Sequence, residues 1–122
     1  MARTLDFPDD IRPDFQGFSA QAFSFLKGLA KNNERAWFAD RKDVYDTEIK
    51  FAMECLLSEF AETGRPEGFP VRGDPKRGIF RIYRDVRFSK DKNPYKTHVG
   101  AVMTRSGGKG DPGLIYIHIE PG

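Results

Sequence analysis

The amino-acid sequence predicts an α+β domain in which two N-terminal helices pack on an antiparallel sheet of about three strands. Two observations predict this arrangement. Helical periodicity is confined to the first half of the chain, whereas segments rich in β-branched and aromatic residues are confined to the second half. No helical pattern separates the strand segments, so no crossover is available to make neighbouring strands parallel.

The length of 122 residues suits one domain with a single core. We predict an extended arm at residues 1–17, where prolines stand among acidic residues, and one α+β domain at residues 18–122. No stretch approaches the roughly 20 apolar residues that cross a bilayer, and the N-terminus does not resemble a signal peptide. We therefore expect a cytoplasmic protein with no membrane partner.

The first helix is predicted to begin after Ser19, a favoured N-cap residue. It ends at Asn32-Asn33, where the helical spacing of apolar residues stops. A second, longer helix is predicted to begin with Asn33 as its N-cap and to end near Gly64. One stripe of this helix is apolar and is expected to lie on the sheet: Phe38, Tyr45, Ile49, Ala52, Leu56 and Phe60, with Trp37, Val44 and Met53 widening it.

Three later segments are bounded by turn signals and have the composition of strands. They predict strands at Ile79–Arg84, His98–Thr104 and Leu114–Glu120. Alternation in the last strand puts its isoleucines on the core face and its polar residues on the face open to solvent or to chemistry. The polar residues of that strand are Tyr116, His118 and Glu120.

Several kinds of chemistry find no support in the sequence. The single cysteine, Cys55, cannot form an internal disulfide and is interpreted as a small apolar residue on a helix. The chain has no nucleophile elbow, no P-loop and no dinucleotide-binding fingerprint. We therefore expect no cofactor.

Positive charge is concentrated in one part of the chain. Residues 72–96 contain nine Lys and Arg against three Asp, a local charge of +6 in a chain whose net charge is +2. The rest of the chain is therefore acidic on balance. An anionic partner is predicted to meet the 72–96 segment.

Within this segment, the run RIYRDVRFSKDKNPYK at 81–96 resembles the signature of domain-of-unknown-function (DUF) family 2461, R-x-x-R-D-x-R-F-x-x-D-K-x-x-Y. That family occurs in bacteria and in some longer fungal proteins. The matching positions are Arg81, Arg84, Asp85, Arg87, Phe88, Asp91, Lys92 and Tyr95. The resemblance implies that the chain is the N-terminal portion of the family domain. It implies no substrate, cofactor or catalytic residue.

The leading hypothesis from the residues is an anion-binding module that holds a phosphorylated ligand or a nucleic-acid backbone. Arginine suits this role because its planar guanidinium binds phosphate through two parallel hydrogen bonds. The candidate residues are Arg81, Arg84, Arg87, Lys90, Lys92, Lys96 and Tyr95. The alternative is that Asp85 and Asp91 pair with these bases and simply order a long connection. Likewise, Tyr83, Phe88 and Tyr95 either stack on nucleobases or belong to the core.

A second hypothesis is a hydrolase. His118 and Glu120 are two residues apart on a predicted strand, so their side chains project together, and His98 on the neighbouring strand is expected nearby. These three residues are candidates for a metal site or for a general base oriented by a carboxylate, with Asp85 as a further acid–base candidate. Because two histidines are few for a metal site, we expect no metal. A third hypothesis is a structural or interaction domain without a ligand.

Overall fold

A computed structural model describes residues 13–61 and 67–121. Helices precede a two-stranded antiparallel sheet, which confirms the predicted α+β class. The elements are α1 (Ala20–Lys31), α2 (Arg35–Asp40), α3 (Lys42–Val44), a π-helix (Tyr45–Lys50), α4 (Phe51–Ser58), β1 (Val99–Thr104) and β2 (Gly113–Ile119). Residues 13–17 of the predicted arm contain no helix or strand, and its remainder lies outside the described residues. In the described ranges no helix is both long enough and apolar enough to span a membrane.

Helix α1 begins and ends as predicted. The Ser19 hydroxyl accepts a hydrogen bond from the Ala22 amide at 3.1 Å and donates one to Glu48 at 2.7 Å. The cap therefore satisfies a free amide of the first turn and also ties α1 to the π-helix. At the other end, the Asn32 amide donates to the Gly28 carbonyl at 2.9 Å. The buried face of α1 consists of Ala22, Phe25, Leu26 and Leu29.

The prediction of one continuous second helix was wrong, because the helix breaks at Arg41. The Arg41 guanidinium donates to the Trp37 carbonyl at 3.2 Å and lies 4.3 Å over the Trp37 ring. This carbonyl is the acceptor that the Arg41 amide would use in an uninterrupted helix. The Arg41 amide instead donates to the Phe38 carbonyl at 2.9 Å, a tighter turn. The last helix of the region, α4, ends at Ser58, and the predicted end at Gly64 lies outside the described residues.

The π-helix shifts the apolar stripe by one residue. Tyr45, Ile49 and Met53 are buried as predicted, and Leu57 is buried as well, whereas Ala52 and Leu56 are only half-buried. Leu56 and Phe60 still pack against the core. A π-helix closes its hydrogen bonds one residue later than an α-helix, so the chain returns to the core face later. The predicted stripe assumed an ordinary helical period, so its centre is displaced by one residue beyond this turn.

The two strands pair close to their predicted bounds. Ala101 of β1 lies opposite Ile117 of β2, and Met103 lies opposite Ile115. The isoleucines of β2 pack against the helical core, as the alternation predicted. Strand β1 is buried along its whole length, which means that both of its faces are covered.

The third predicted strand, Ile79–Arg84, is not formed. Its first part pairs with β1 through a single bridge between Ile79 and Ala101, and the Phe80 amide donates to the Gly100 carbonyl at 2.9 Å. Its second part turns away from β1 and pairs with residues 94–96 instead. The segment is shared between two partners, so neither pairing extends into a strand.

Asn33, predicted as an N-cap, joins the helices to the basic motif. Its amide nitrogen donates to the Tyr95 carbonyl at 2.9 Å, and its amide oxygen accepts from the Tyr95 amide at 2.9 Å. The N-cap residue of α2 is Glu34, which makes no side-chain capping bond. The Tyr95 ring is 4% exposed and stacks on Phe38 with 4.3 Å between centroids. The Asn33 side chain therefore satisfies the backbone donor and acceptor of Tyr95, as a neighbouring strand would.

The substitution Asn33→Ala is expected to lower the free energy of unfolding by about 2–3 kcal/mol, because it leaves the backbone donor and acceptor of Tyr95 without partners. The matched control is Asn32→Ala, which removes one exposed bond to the Gly28 carbonyl and is expected to cost about 0.5 kcal/mol or less. Urea unfolding of both variants measures the difference. Equal losses would contradict this role of Asn33.

Candidate functional site

The motif loop, residues 81–96, is closed at its base by backbone hydrogen bonds. Tyr83 and Tyr95 form a bridge, the Arg84 amide donates to the Pro94 carbonyl at 2.9 Å, and the Lys96 amide donates to the Ile82 carbonyl at 2.8 Å. These bonds fix both ends of the loop. The intervening charged residues are consequently held at the surface in a defined order.

Two of the three motif arginines bind aspartates of the same loop. Arg84 lies 2.7 Å from a carboxylate oxygen of Asp91. Arg87 holds Asp85 through two hydrogen bonds, of 3.0 and 2.8 Å. The pKa of Asp85 is lowered, chiefly by the Arg87 side chain, and that of Asp91 is lowered by the backbone amide of Asn93 and by Arg84. These arginines therefore order the loop, as the ion-pairing alternative supposed.

The remaining motif residues divide into buried and exposed sets. The Lys92 ammonium donates to the Val86 carbonyl at 2.7 Å, which again serves the loop itself. Tyr95 belongs to the core, so its ring is not available to a ligand. Tyr83 is 43% exposed and Phe88 is 94% exposed. Of the aromatic residues in the motif, only these two meet solvent substantially.

A second surface lies on the side of the sheet that faces away from the helices. We call it the open face. Bridge and register place its residues on neighbouring segments: Phe80, His98, Gly100, Tyr116 and His118. The imidazoles of His98 and His118 stack with 4.4 Å between centroids, and the rings of Phe80 and Tyr116 are 6.3 Å apart. A methyl group at Gly100 would lie 2.7 Å from the Tyr116 hydroxyl, so the absence of a side chain there makes room for the tyrosine.

The polar side chains of β2 form a hydrogen-bonded chain along the open face. His118 Nε2 lies 2.8 Å from a carboxylate oxygen of Glu120, and His118 Nδ1 lies 3.1 Å from the Tyr116 hydroxyl. A carboxylate only accepts, so in a neutral imidazole Nε2 carries the proton and Nδ1 accepts from the tyrosine. This arrangement orients a base with a carboxylate and presents it to a hydroxyl group.

Lys96 and Lys109 lie beside the open face, and Arg81 lies close enough to Lys96 to affect its pKa. We call these three residues the cation cluster. The ammonium groups of Lys96 and Lys109 lie 5.9 and 5.6 Å from the centroid of Phe80. The Arg81 guanidinium lies 5.7 Å from the centroid of Tyr83. Burial lowers the pKa of Lys96, and the charges of Arg81 and Lys109 lower it further. In the parts of the chain that the structure describes, none of the three forms an ion pair with a carboxylate.

The histidine stack is affected by the same charges. The pKa of His98 is lowered from its ordinary value, first by burial and then by His118 and Lys96, while Glu120 acts in the opposite direction. Asp85 does not join this group, because its carboxylate is held by Arg87. Among the described residues no group of three His, Cys, Asp or Glu side chains is arranged to hold a metal ion. The histidine candidates thus come together as stacked and hydrogen-bonded rings.

Residues 21–122 match the family model described as "Conserved hypothetical protein (DUF2461)". The chain belongs to this family. Among the described elements, the match takes in α1 from its second residue onward, the later helices, the motif loop and both strands. No curated protein and no solved structure matches the chain.

In this DUF2461 domain, two residues of the site lie outside what the motifs predict. Lys109 stands in the connection between β1 and β2, and nothing in the local sequence indicates that it lies beside Phe80. Phe80 itself is predicted only as one residue of a strand. The signal that could have placed Phe80 is the two-residue alternation of extended segments. Since Ile79 is bridged to Ala101, the neighbouring Phe80 must share a face with Gly100.

The imidazole of His98 is expected to titrate below the ordinary value of 6.5. Because unfolded His98 then binds a proton at a higher pH than folded His98 does, the free energy of unfolding should fall as the pH falls through about 6.5. Substitution Lys96→Gln should raise the midpoint, since it removes a nearby positive charge. NMR titration of the imidazole protons measures the midpoints, and urea unfolding at several pH values measures the free energy of unfolding.

The control for this titration is Lys90→Gln, which removes an equal charge from a lysine that does not affect the pKa of His98. Its His98 midpoint should equal that of the unmodified protein. A midpoint at or above 6.5 in the unmodified protein would show that burial and the neighbouring charges do not lower the pKa of His98.

Proposed function

We propose that this domain binds a phosphate-bearing ligand, either a phosphorylated molecule or a nucleic-acid backbone, through the basic 72–96 segment. The observation that carries the proposal is the contrast between two groups of cations. Arg84, Arg87 and Lys92 are bound within the motif loop. Arg81, Lys96 and Lys109 have no carboxylate partner among the described residues, and the charges of Arg81 and Lys109 both act on Lys96. Lys90 is exposed and is not among the charges that lower the pKa of Lys96. The binding residues are therefore a subset of the six bases of the motif, with Lys109 added.

The electrostatics of the cation cluster favour an anionic ligand. Like charges held together destabilise each other, and the lowered pKa of Lys96 reflects that repulsion in part. A phosphate group bound between these cations would reverse the effect, since each nearby negative charge stabilises the protonated lysine. The proximity of the two ammonium groups to the phenyl ring of Phe80 supports a position for such a group near that ring.

The proposal is tested by measuring binding of tripolyphosphate and of a short single-stranded oligonucleotide. The double substitution Lys96→Gln with Lys109→Gln is expected to weaken both by about tenfold or more, a change of roughly 1.4 kcal/mol. On a strand, each of the three cations can neutralise one phosphate, so oligonucleotide affinity should fall with salt at a log–log slope of about −2, since each neutralised phosphate on a single strand contributes roughly −0.7. Isothermal titration calorimetry and fluorescence anisotropy provide the measurements.

The matched control is Lys27→Gln with Lys50→Gln, which changes the net charge equally at two exposed helical lysines. It should leave affinity within about threefold, because long-range charge effects are screened in salt. Equal losses in the two double variants would mean that only net charge matters. Salt-independent binding of the oligonucleotide would likewise argue against the proposal.

A hydrolase is the second candidate, and the hydrogen-bonded chain of Tyr116, His118 and Glu120 favours it. In that role His118 would accept a proton from a hydroxyl group or a water molecule, and Glu120 would stabilise the resulting imidazolium. The cation cluster would bind the phosphate of the substrate. In this mechanism His98 would hold the ring of His118 in place by stacking on it, and the two histidines would not share a metal.

With para-nitrophenyl phosphate as substrate, His118→Gln and Glu120→Gln are expected to lower kcat by about 10²–10⁴-fold, the usual contribution of an acid–base group. The double lysine variant of the cation cluster should instead raise KM. Release of nitrophenolate measures both values. Absence of turnover above the buffer rate, or turnover that is unchanged in His118→Gln, would exclude His118 as the general base of a hydrolase.

A further inference from the structure

We infer that the ligand carries an aromatic base beside its phosphate, as a nucleotide unit does, and that the base stacks on Tyr116. This inference rests on the proposed function, because the phosphate is placed on the cation cluster. It adds the chemical class of the ligand and its orientation on the open face. Free nucleotides and single-stranded nucleic acids share this chemistry.

Tyr116 is the ring on the open face best suited to stacking. It is 56% exposed, although it is a large aromatic residue on a central part of β2. Its hydroxyl is bound by His118, which is in turn held by Glu120. The ring orientation is therefore fixed before a ligand arrives, which lowers the entropy cost of binding. Because there is no side chain at Gly100, the hydroxyl lies directly on the sheet backbone.

Phe80 is less suited to take the base, because the ammonium groups of Lys96 and Lys109 lie within 6 Å of its centroid. The Phe80 ring therefore packs beside the two lysines of the cation cluster. The centroids of Phe80 and Tyr116 are 6.3 Å apart. Phe80 therefore adjoins Tyr116, and a base stacked on Tyr116 can keep its linked phosphate on the Phe80 side, where Lys96 and Lys109 lie.

The charges on the open face set the direction of the ligand. The carboxylate of Glu120 lies beyond His118 and repels phosphate, whereas the cation cluster lies on the Phe80 side. The phosphate is therefore expected near Lys96 and Lys109, and the base above Tyr116. Bases in a duplex are stacked within the helix and cannot reach such a ring, so the ligand must present an unpaired base.

The test compares a short oligothymidylate with an abasic oligonucleotide of the same length and charge, using fluorescence anisotropy. The unmodified protein should bind the oligothymidylate at least about tenfold more tightly, since base–aromatic stacking is sequence-tolerant but needs a base. Tyr116→Ala should abolish the difference between the two probes. Tyr116→Phe should keep it, because the ring remains.

The matched control is Phe88→Ala, which removes an exposed aromatic side chain from the motif loop and is expected to leave the base preference unchanged. Loss of the preference in Phe88→Ala but not in Tyr116→Ala would overturn the assignment to Tyr116. Thermal unfolding of each variant verifies that the fold is retained.

The remaining outcomes separate the two proposals. If both oligonucleotides bind equally and tightly, the base inference fails and the phosphate site stands. If neither binds, and neither tripolyphosphate nor thymidine monophosphate binds, the phosphate proposal fails with it. Tyr116-dependent binding of thymidine monophosphate at the affinity of the oligonucleotide would identify a free nucleotide as the ligand. Tyr116-dependent binding of the oligonucleotide alone would identify a strand.

Discussion

The pairing of the Asn33 side chain with the backbone of Tyr95 positions both candidate surfaces of the domain. It fixes the end of the motif loop against the helices, and the Tyr95 ring stacked on Phe38 reinforces the contact from the core. Lys96 is the next residue, and β1 begins only a few residues later. The contact between Asn33, at the junction of α1 and α2, and Tyr95 of the motif loop therefore helps to position the cation cluster and the histidine stack.

The basic segment illustrates why composition alone does not define a binding site. Its surplus of positive charge is real, but the structure divides it between internal ion pairs and cations that face outward. Arg84 and Arg87 bind aspartates that lie within seven residues of them in the same loop. Such pairs at an exposed surface contribute little stability individually, so their main effect is to order the loop. Arg81 and Lys96 stand outside these pairs and lie close to Tyr83 and Phe80.

The sequence was most informative where local rules decide the structure. The Ser19 cap, the end of α1 and the alternation of β2 depend on residues close together in the chain. The failures arose where distant residues compete. Asn33 binds Tyr95, sixty-two positions away, and does not cap the adjoining helix α2. Likewise, Lys109 in the connection between β1 and β2 approaches Phe80, which is far from it in the sequence. A single sequence contains no local signal for either contact.

The wide turn at Tyr45–Lys50 determines which side chains of the later helical region fill the interior. Residues after it are rotated relative to an uninterrupted α-helix of the same length, so that Met53 and Leu57 fill the interior. A wide turn contains about one residue more than an ordinary turn, so loss of one residue here would restore regular winding and leave Met53 and Leu57 facing inward. Loss of one residue from α1 would instead turn its later side chains away from the core. A single deletion should therefore be tolerated better in this turn than in α1.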